Sequence, residues 1–211
     1  MQKLLIITFS VFFIGNAFGQ KKIIYNDSNF KYCLFINPVI EDQSDTSSEA
    51  TYCTLSKIEI CKLRDGALLQ VLYPKDCFFY CSSDSSIFKM IDANFDGNND
   101  LQIFQVKGTA GVLYYFWIYN TETKTFEQNP VLGNITSPEF DLKNKIIYSS
   151  SRLHPGERVD KYKYVNKKTV LFESTENAIR TDKNGNRLFV TTIRKRINGK
   201  MQITSKIINP D

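Results

Sequence analysis

The chain carries a single histidine, His154, in 211 residues. That scarcity removes most nucleophilic catalysis, because Ser-His-Asp and Cys-His sites need an imidazole between nucleophile and acid. His154 stands between Leu153 and Pro155-Gly156, and no GxSxG elbow occurs in the chain. No glycine-rich phosphate loop is present. No CxxC pair is present either, and such pairs are the usual mark of a structural zinc site. The formal net charge of +5 is mild and no dense basic run occurs, which argues against nucleic acid as a partner. After residue 19 no apolar run is long enough to span a bilayer, so stable membrane insertion is not expected. No long stretch with a 3.6-residue period appears, and no repeat of about 20–50 residues. Asp and Glu are spread along the chain, so no acid/base pair can be assigned and no catalytic residue is expected.

What is present begins with an export signal. Lys3 supplies a positive start, Leu4 to Ile14 an apolar core, and Ala17-Phe18-Gly19 the small residues before a cleavage site near Gly19. The mature protein is therefore expected in the periplasm or outside the cell. Five cysteines, Cys33, Cys53, Cys61, Cys77 and Cys81, all fall in the first half. In an exported chain they predict disulfides: two bridges and one free thiol fit the odd count, with connectivity open. The acidic, Ser-rich stretch Glu41 to Glu49 reads as an exposed linker. The expected division is a signal over 1–19, an N-terminal segment and linker over 20–50, and one β domain over 51–211.

From Thr51 the pattern is β throughout, which predicts an all-β, antiparallel sandwich or barrel-like sheet. Asp65-Gly66 and Asn198-Gly199 each separate two strand-like runs and predict hairpins. Val112 to Tyr119 packs Tyr114, Tyr115, Phe116, Trp117 and Tyr119 into eight residues, which reads as a core strand and not a sugar-stacking platform. Leu153 to Arg158 reads as a loop. Arg194, Lys195, Arg196, Lys200 and Lys206 make the tail basic, as expected of a solvated edge.

The densest chemistry is Asp92-Ala93-Asn94-Phe95-Asp96-Gly97-Asn98-Asn99-Asp100. Oxygen-bearing side chains recur at every second position, Asp92, Asn94, Asp96, Asn98 and Asp100, and Gly97 follows the third. Alternate side chains can point inward while the glycine takes a positive φ, which suits a loop around a hard cation, Ca²⁺ above all. The match to an EF-hand is partial, because Ile103 stands where its bidentate Glu would be. The apolar flanks place this loop between two strands.

The loop, read as Asp-x-Asn-Phe-Asp-Gly-x-x-Asp-Leu, resembles that of exported bacterial proteins related to the periplasmic inhibitor of i-type lysozyme. Tyr115-Phe116-Trp117-Ile118-Tyr119-Asn120, Phe126-Glu127-Gln128-Asn129, Leu132, Ser137-Pro138-Glu139-Phe140-Asp141 and Ile146-Ile147-Tyr148-Ser149 follow in the family's order, over roughly Ser86 to Glu173. The resemblance implies a β-sandwich-like fold, calcium in the acidic loop, and a lysozyme or other peptidoglycan-cleaving enzyme as partner, blocked by an inserted loop. It implies partner-binding roles for Ser150, Ser151, Arg152 and His154 on the hairpin from Ser149 to Gly156, closed by Tyr162. Related inhibitors carry a Ser-Gly…Tyr signature there, and this hairpin has no Ser-Gly dipeptide. A cell-envelope module that binds glycan or protein without inhibiting anything is the alternative.

Overall fold

The computed structural model describes residues 20–39 and 52–210. The expected signal, and the acidic stretch Glu41 to Glu49, lie outside the described residues. Among the described residues no helix is long and apolar enough to cross a membrane.

The fold is all-β and antiparallel, in sandwich-like sheets, as the alternation predicted. The strands are β1 (Lys21–Asn26), β2 (Phe30–Val39), β3 (Tyr52–Lys62), β4 (Leu68–Leu72), β5 (Phe78–Tyr80), β6 (Phe88–Ile91), β7 (Asp100–Lys107), β8 (Val112–Asn120) and β9 (Thr125–Gln128). They continue as β10 (Pro138–Asp141), β11 (Ile146–Leu153), β12 (Gly156–Val165), β13 (Lys168–Thr181), β14 (Arg187–Ile197) and β15 (Lys200–Pro210). One sheet runs β1-β2-β3-β4 with β5 added to β3, a second runs β6-β7-β8-β9, and a third runs β10 through β15 in chain order.

The chain divides differently from the expected 20–50 and 51–211. One compact unit holds residues up to Lys89 with Ile103–Val106 and Asn120–Phe126, and the other holds Met90–Gln102, Lys107–Tyr119 and Glu127 onward. The reason is the ladder from Phe30↔Lys62 to Val39↔Tyr52, which joins β2 to β3 in one sheet across the polar stretch.

In the first unit, Tyr32, Leu34 and Ile36 recur at every second position of β2 and are fully buried. Leu55, Ile58 and Ile60 of β3 keep to the same core because Ser56 is an extra residue, a bulge between the Phe35↔Lys57 and Ile36↔Leu55 pairs. Its hydroxyl bonds to Phe35 O at 2.8 Å. Asp27 closes the β1–β2 turn by accepting Asn29 N (2.8 Å), Phe30 N (2.7 Å) and the Tyr32 hydroxyl (2.9 Å). One disulfide is formed, Cys53–Cys81, while Cys33, Cys61 and Cys77 are free thiols. The Cys77 thiol donates to Phe104 O at 2.7 Å.

In the second unit, Ala93, Phe95, Phe116, Leu132, Ile135 and Ile147 form the buried core. Phe116 is fully buried and Trp117 nearly so, which makes the aromatic strand a core strand. Asn198 (φ 50°) and Gly199 (φ 80°) form the two-residue turn between the Ile197↔Lys200 pair, as Asn-Gly predicted. The third sheet is laced by polar cross-strand groups. Glu173 takes Lys161 at 2.6 Å and Lys195 at 3.4 Å, and the Lys161 hydrogen bond holds its carboxyl below the usual range.

Candidate functional site

The acidic loop joins β6 to β7, both strands, as expected. Its shape comes from side chains capping backbone N–H groups. Asp92 accepts Asp96 N and Gly97 N, each at 2.9 Å, through its two oxygens. Asn94 Oδ1 also accepts Asp96 N at 3.0 Å, and Asp96 Oδ1 accepts Asn98 N at 2.8 Å. The amides of Asn94 and Asn98 both donate to the Asp96 carboxylate, at 2.8 and 2.9 Å. The side chains of Asn94, Asp96 and Asn98 therefore converge. Gly97 takes φ +90°, and Phe95 takes φ 64° while its ring is buried against Phe140, with centroids 6.2 Å apart. Lys145 donates to Phe95 O at 3.2 Å and holds the loop from outside.

Asp100 behaves differently from the other four. It is fully buried. Its Oδ2 accepts Ala93 N at 2.9 Å and Asn94 N at 3.3 Å, and its Oδ1 accepts Tyr119 N at 2.9 Å. Burial pushes this carboxyl up to about 7. The three N–H donors oppose that shift, and the Asp96 charge adds to it. Asp100 thus fastens the loop to β8. Asp92, Asn94, Asp96 and Asn98 remain on the outer side as oxygen donors, a set whose hard, partly anionic chemistry fits a divalent cation such as Ca²⁺. Among the described residues no cluster of three or more His, Cys, Asp or Glu side chains stands in metal-holding geometry.

The second candidate is the β11–β12 hairpin. The expected loop over Leu153 to Arg158 is shorter than predicted, because β11 runs to Leu153 and β12 restarts at Gly156. Its turn is His154-Pro155, joined by a cis peptide bond and enclosed by the Leu153↔Gly156 pair. Ser150, Ser151 and Arg152 are strand residues opposite Val159, Arg158 and Glu157. Tyr162 lies opposite Ile147, six residues from Gly156 along β12, so about 20 Å from the turn. Its ring packs against the core cluster and its hydroxyl reaches Asp160 Oδ2 at 3.4 Å. Burial raises the Tyr162 hydroxyl, with the Asp160 charge adding to it. The hairpin thus brings Ser150, Ser151, Arg152 and His154 together and leaves Tyr162 in the core.

Sequence reasoning missed the group facing them. The turn Lys107–Val112, between β7 and β8, docks on the edge of β11. Arg152 N donates to Ala110 O at 3.0 Å, Ser137 N to Val112 O at 2.7 Å, and Val112 N to Ser137 Oγ at 3.0 Å. Between this turn and the hairpin lies a cleft of about 380 Å³, whose lining includes Lys107, Ser150, Ser151, Arg152, Glu157 and Arg158. Gly108-Thr109-Ala110-Gly111 reads as an ordinary turn in sequence. The sole local signal is Gly111, at φ +147°, where a Cβ would come within 2.5 Å of Ser137 Oγ.

The cleft carries side chains of both charges. Arg158 is paired with Asp160 at 3.3 Å. Glu157, directly across from Arg152, instead accepts Asn177 Nδ2 at 3.1 Å. Asn177 Oδ1 in turn accepts the Thr191 hydroxyl at 2.8 Å. Arg152 is exposed and has no acidic partner among the described residues. The arrangement can offer hydroxyls and a free guanidinium to an anionic group. It assembles no nucleophile with a base.

No protein-family model matches the chain, and no curated protein matches it. Among solved structures, a Xanthomonas protein described as a type IV secretion system related protein superposes with a TM-score of 0.64 at 17% identity. The alignment covers 95% of this chain and 99% of that one. At that identity the likeness is one of fold.

Proposed function

We propose that this is an exported, calcium-stabilised β protein that binds and blocks a lysozyme or another peptidoglycan-cleaving enzyme through the rim formed by Ser150, Ser151, Arg152 and His154. The observation that carries the reading is Arg152. Its guanidinium makes no ion pair among the described residues, while its cross-strand neighbour Glu157, which accepts one hydrogen bond from the neutral Asn177 amide, lines the same cleft. Enzymes that cleave glycosidic bonds work with a pair of carboxylates in a cleft. A free guanidinium beside two hydroxyls can hydrogen-bond such carboxylates and exclude sugar and water. The Cys53–Cys81 disulfide, and the occurrence of this fold in a protein related to a secretion system, are consistent with action outside the cytoplasm.

The test is a lysis assay with the purified protein against lysozymes of several types and against endogenous lytic enzymes. Inhibition of at least one is expected, and Arg152→Glu should weaken it at least tenfold. A panel in which nothing is inhibited sinks the proposal.

Calcium would sit on Asp92, Asn94, Asp96 and Asn98, with Asp100 supporting the loop from behind. A bound ion would hold the strand corner together by neutralising carboxylates on a short loop. The folded chain should then melt higher in calcium than in chelator, being more stable by about 2.7 kcal/mol when calcium is at a hundred times its dissociation constant. Asp96→Ala should abolish that difference. Identical melting curves for the unmodified protein in calcium and in chelator would remove calcium from the proposal.

A further inference from the structure

We infer that one end of the third sheet is a docking surface for an anionic lipid bilayer, on which the protein rests without crossing it. The surface is separate from the β11–β12 hairpin and independent of the function proposed above.

The third sheet is antiparallel and runs β10 through β15 in chain order, so alternate turns fall at the same end. The β10–β11, β12–β13 and β14–β15 turns share one end, and the β11–β12 turn lies at the other. The three turns read Leu142-Lys143-Asn144-Lys145, Val165-Asn166-Lys167-Lys168 and Ile197-Asn198-Gly199-Lys200. Each begins on an aliphatic side chain and ends on a lysine. The aliphatics are not folded back into the core: Leu142 is 53% exposed, Val165 49% and Ile197 42%. Arg196 holds the third turn against β13, donating to Leu171 O at 2.6 Å and to Gly199 O.

The acids at this end are few and engaged. Glu173 is shared by Lys161 and Lys195. Asp141, at the first turn, accepts the backbone and side-chain N–H groups of Asn144. The acidic loop also adjoins the first turn, where Lys145 donates to Phe95 O. The positive excess therefore sits on the second and third turns. There Lys163, Lys167, Lys168 and Lys200 are exposed and make no ion pair among the described residues. Lys167 takes φ 61°, at the position that Gly199 fills in the third turn. That conformation favours glycine, so the lysine stands at the tip at a backbone cost.

The aliphatic tips decide the occupant. Lysines alone would suit any polyanion. A nucleic acid gains little from a branched aliphatic and favours aromatic rings on which bases stack. A bilayer accommodates both, with aliphatic side chains below the headgroups and lysines among the phosphates.

The probe is vesicles of phosphatidylglycerol and phosphatidylcholine, cosedimented at low salt with the chain from Gln20 onward. Pure phosphatidylcholine vesicles are the comparison. Binding to the anionic vesicles and none to the neutral ones is expected. Lys167→Gly/Lys200→Gln should bind roughly tenfold or more weakly. Glycine suits the Lys167 backbone, so this variant should fold as well as the parent. Lys183→Gln/Lys206→Gln has the same net charge, with Lys183 in the β13–β14 turn at the opposite end and Lys206 within β15. It should bind within about threefold of the parent, because the charges it loses lie more than a Debye length from the tips. Val165→Ser/Ile197→Ser leaves the charge unchanged and should still bind roughly fivefold more weakly. No sedimentation with anionic vesicles, equal binding to neutral ones, or equal losses in the two lysine variants would overturn the inference. Tighter binding to duplex DNA, indifferent to Val165→Ser/Ile197→Ser, would make this end a polyanion site and reject the bilayer.

Discussion

Asp100→Ala is expected to lower the melting temperature by roughly 10 °C, the largest effect of any single substitution in the acidic loop. The substitution leaves three N–H groups, of Ala93, Asn94 and Tyr119, without an acceptor in a site from which water is excluded. Each costs about 1–3 kcal/mol when left unmet, so a loss of about 4 kcal/mol is expected. Asp100→Asn should fall between, because its amide keeps one acceptor oxygen and turns an NH₂ toward donors. The pH profile separates charge from hydrogen bonding. The carboxyl sits at about 7 in the folded chain, above its usual value near 4. Its contribution to stability is therefore complete below about pH 4 and is lost as pH rises through 7. Asn does not titrate, so the variant should lose that part of the slope. Thermal melts from pH 4 to pH 8 check both points. An Asp100→Ala protein that melts within about 2 °C of the parent would show that the anchor is not needed.

Gly156→Ala is expected to open the end of the β11–β12 hairpin and cost about 3 kcal/mol. Gly156 has φ +133°, a region that side-chain-bearing residues rarely occupy. An added Cβ would overlap Asn177 O and lie 3.0 Å from Ala178 Cα. Both are backbone atoms of β13, paired with β12 through Glu157↔Asn177 and Gly156↔Ala178, so no rotamer change relieves the clash. Faster amide exchange at Asn177, Ala178 and Leu153 is the measurement, with the β14–β15 hairpin as internal control. A loss of lytic inhibition should accompany it, since Arg152 sits two residues before the turn. Unchanged exchange would mean that the strands can separate at no cost.

The contrast between these residues and the rest of the chain explains what could be read in advance. The strand–loop–strand context of Asp92 to Asp100 and the Asn198-Gly199 hairpin are local. Their signals are the spacing of oxygen side chains and a dipeptide that tolerates positive φ. The role of Asp100 is not local. Its third donor, Tyr119 N, is nineteen residues away, and nothing in Asp92 to Asp100 distinguishes an inward carboxylate from an outward one. The distance of Tyr162 from the turn, on the return strand, is non-local in the same way. The register Ile147↔Tyr162 is set by the two-residue turn at His154-Pro155, and a longer loop was expected there. The docked turn at Lys107–Val112 depends on Ser137 and Arg152, one reached through β8 and β9 and the other through β10. The pairing of β2 with β3 across the polar stretch is likewise not local, because composition reports exposure and not which strands join.

The thiol at Cys77 has a consequence for how long the folded protein keeps its covalent form. Cys77 is four residues from Cys81, and it lies inside the loop closed by the Cys53–Cys81 bond, which spans a separation of 28 residues. It is the free thiol nearest to Cys81 in sequence. Burial pushes its thiol up to about 12, and its hydrogen is given to Phe104 O. At pH 7 the reactive thiolate is on the order of one part in 10⁵, too scarce to attack the neighbouring bond at a useful rate. Once folded, Cys77 is thereby kept from attacking the bond beside it; of the two other free thiols, Cys33 is also buried and Cys61 is half-buried.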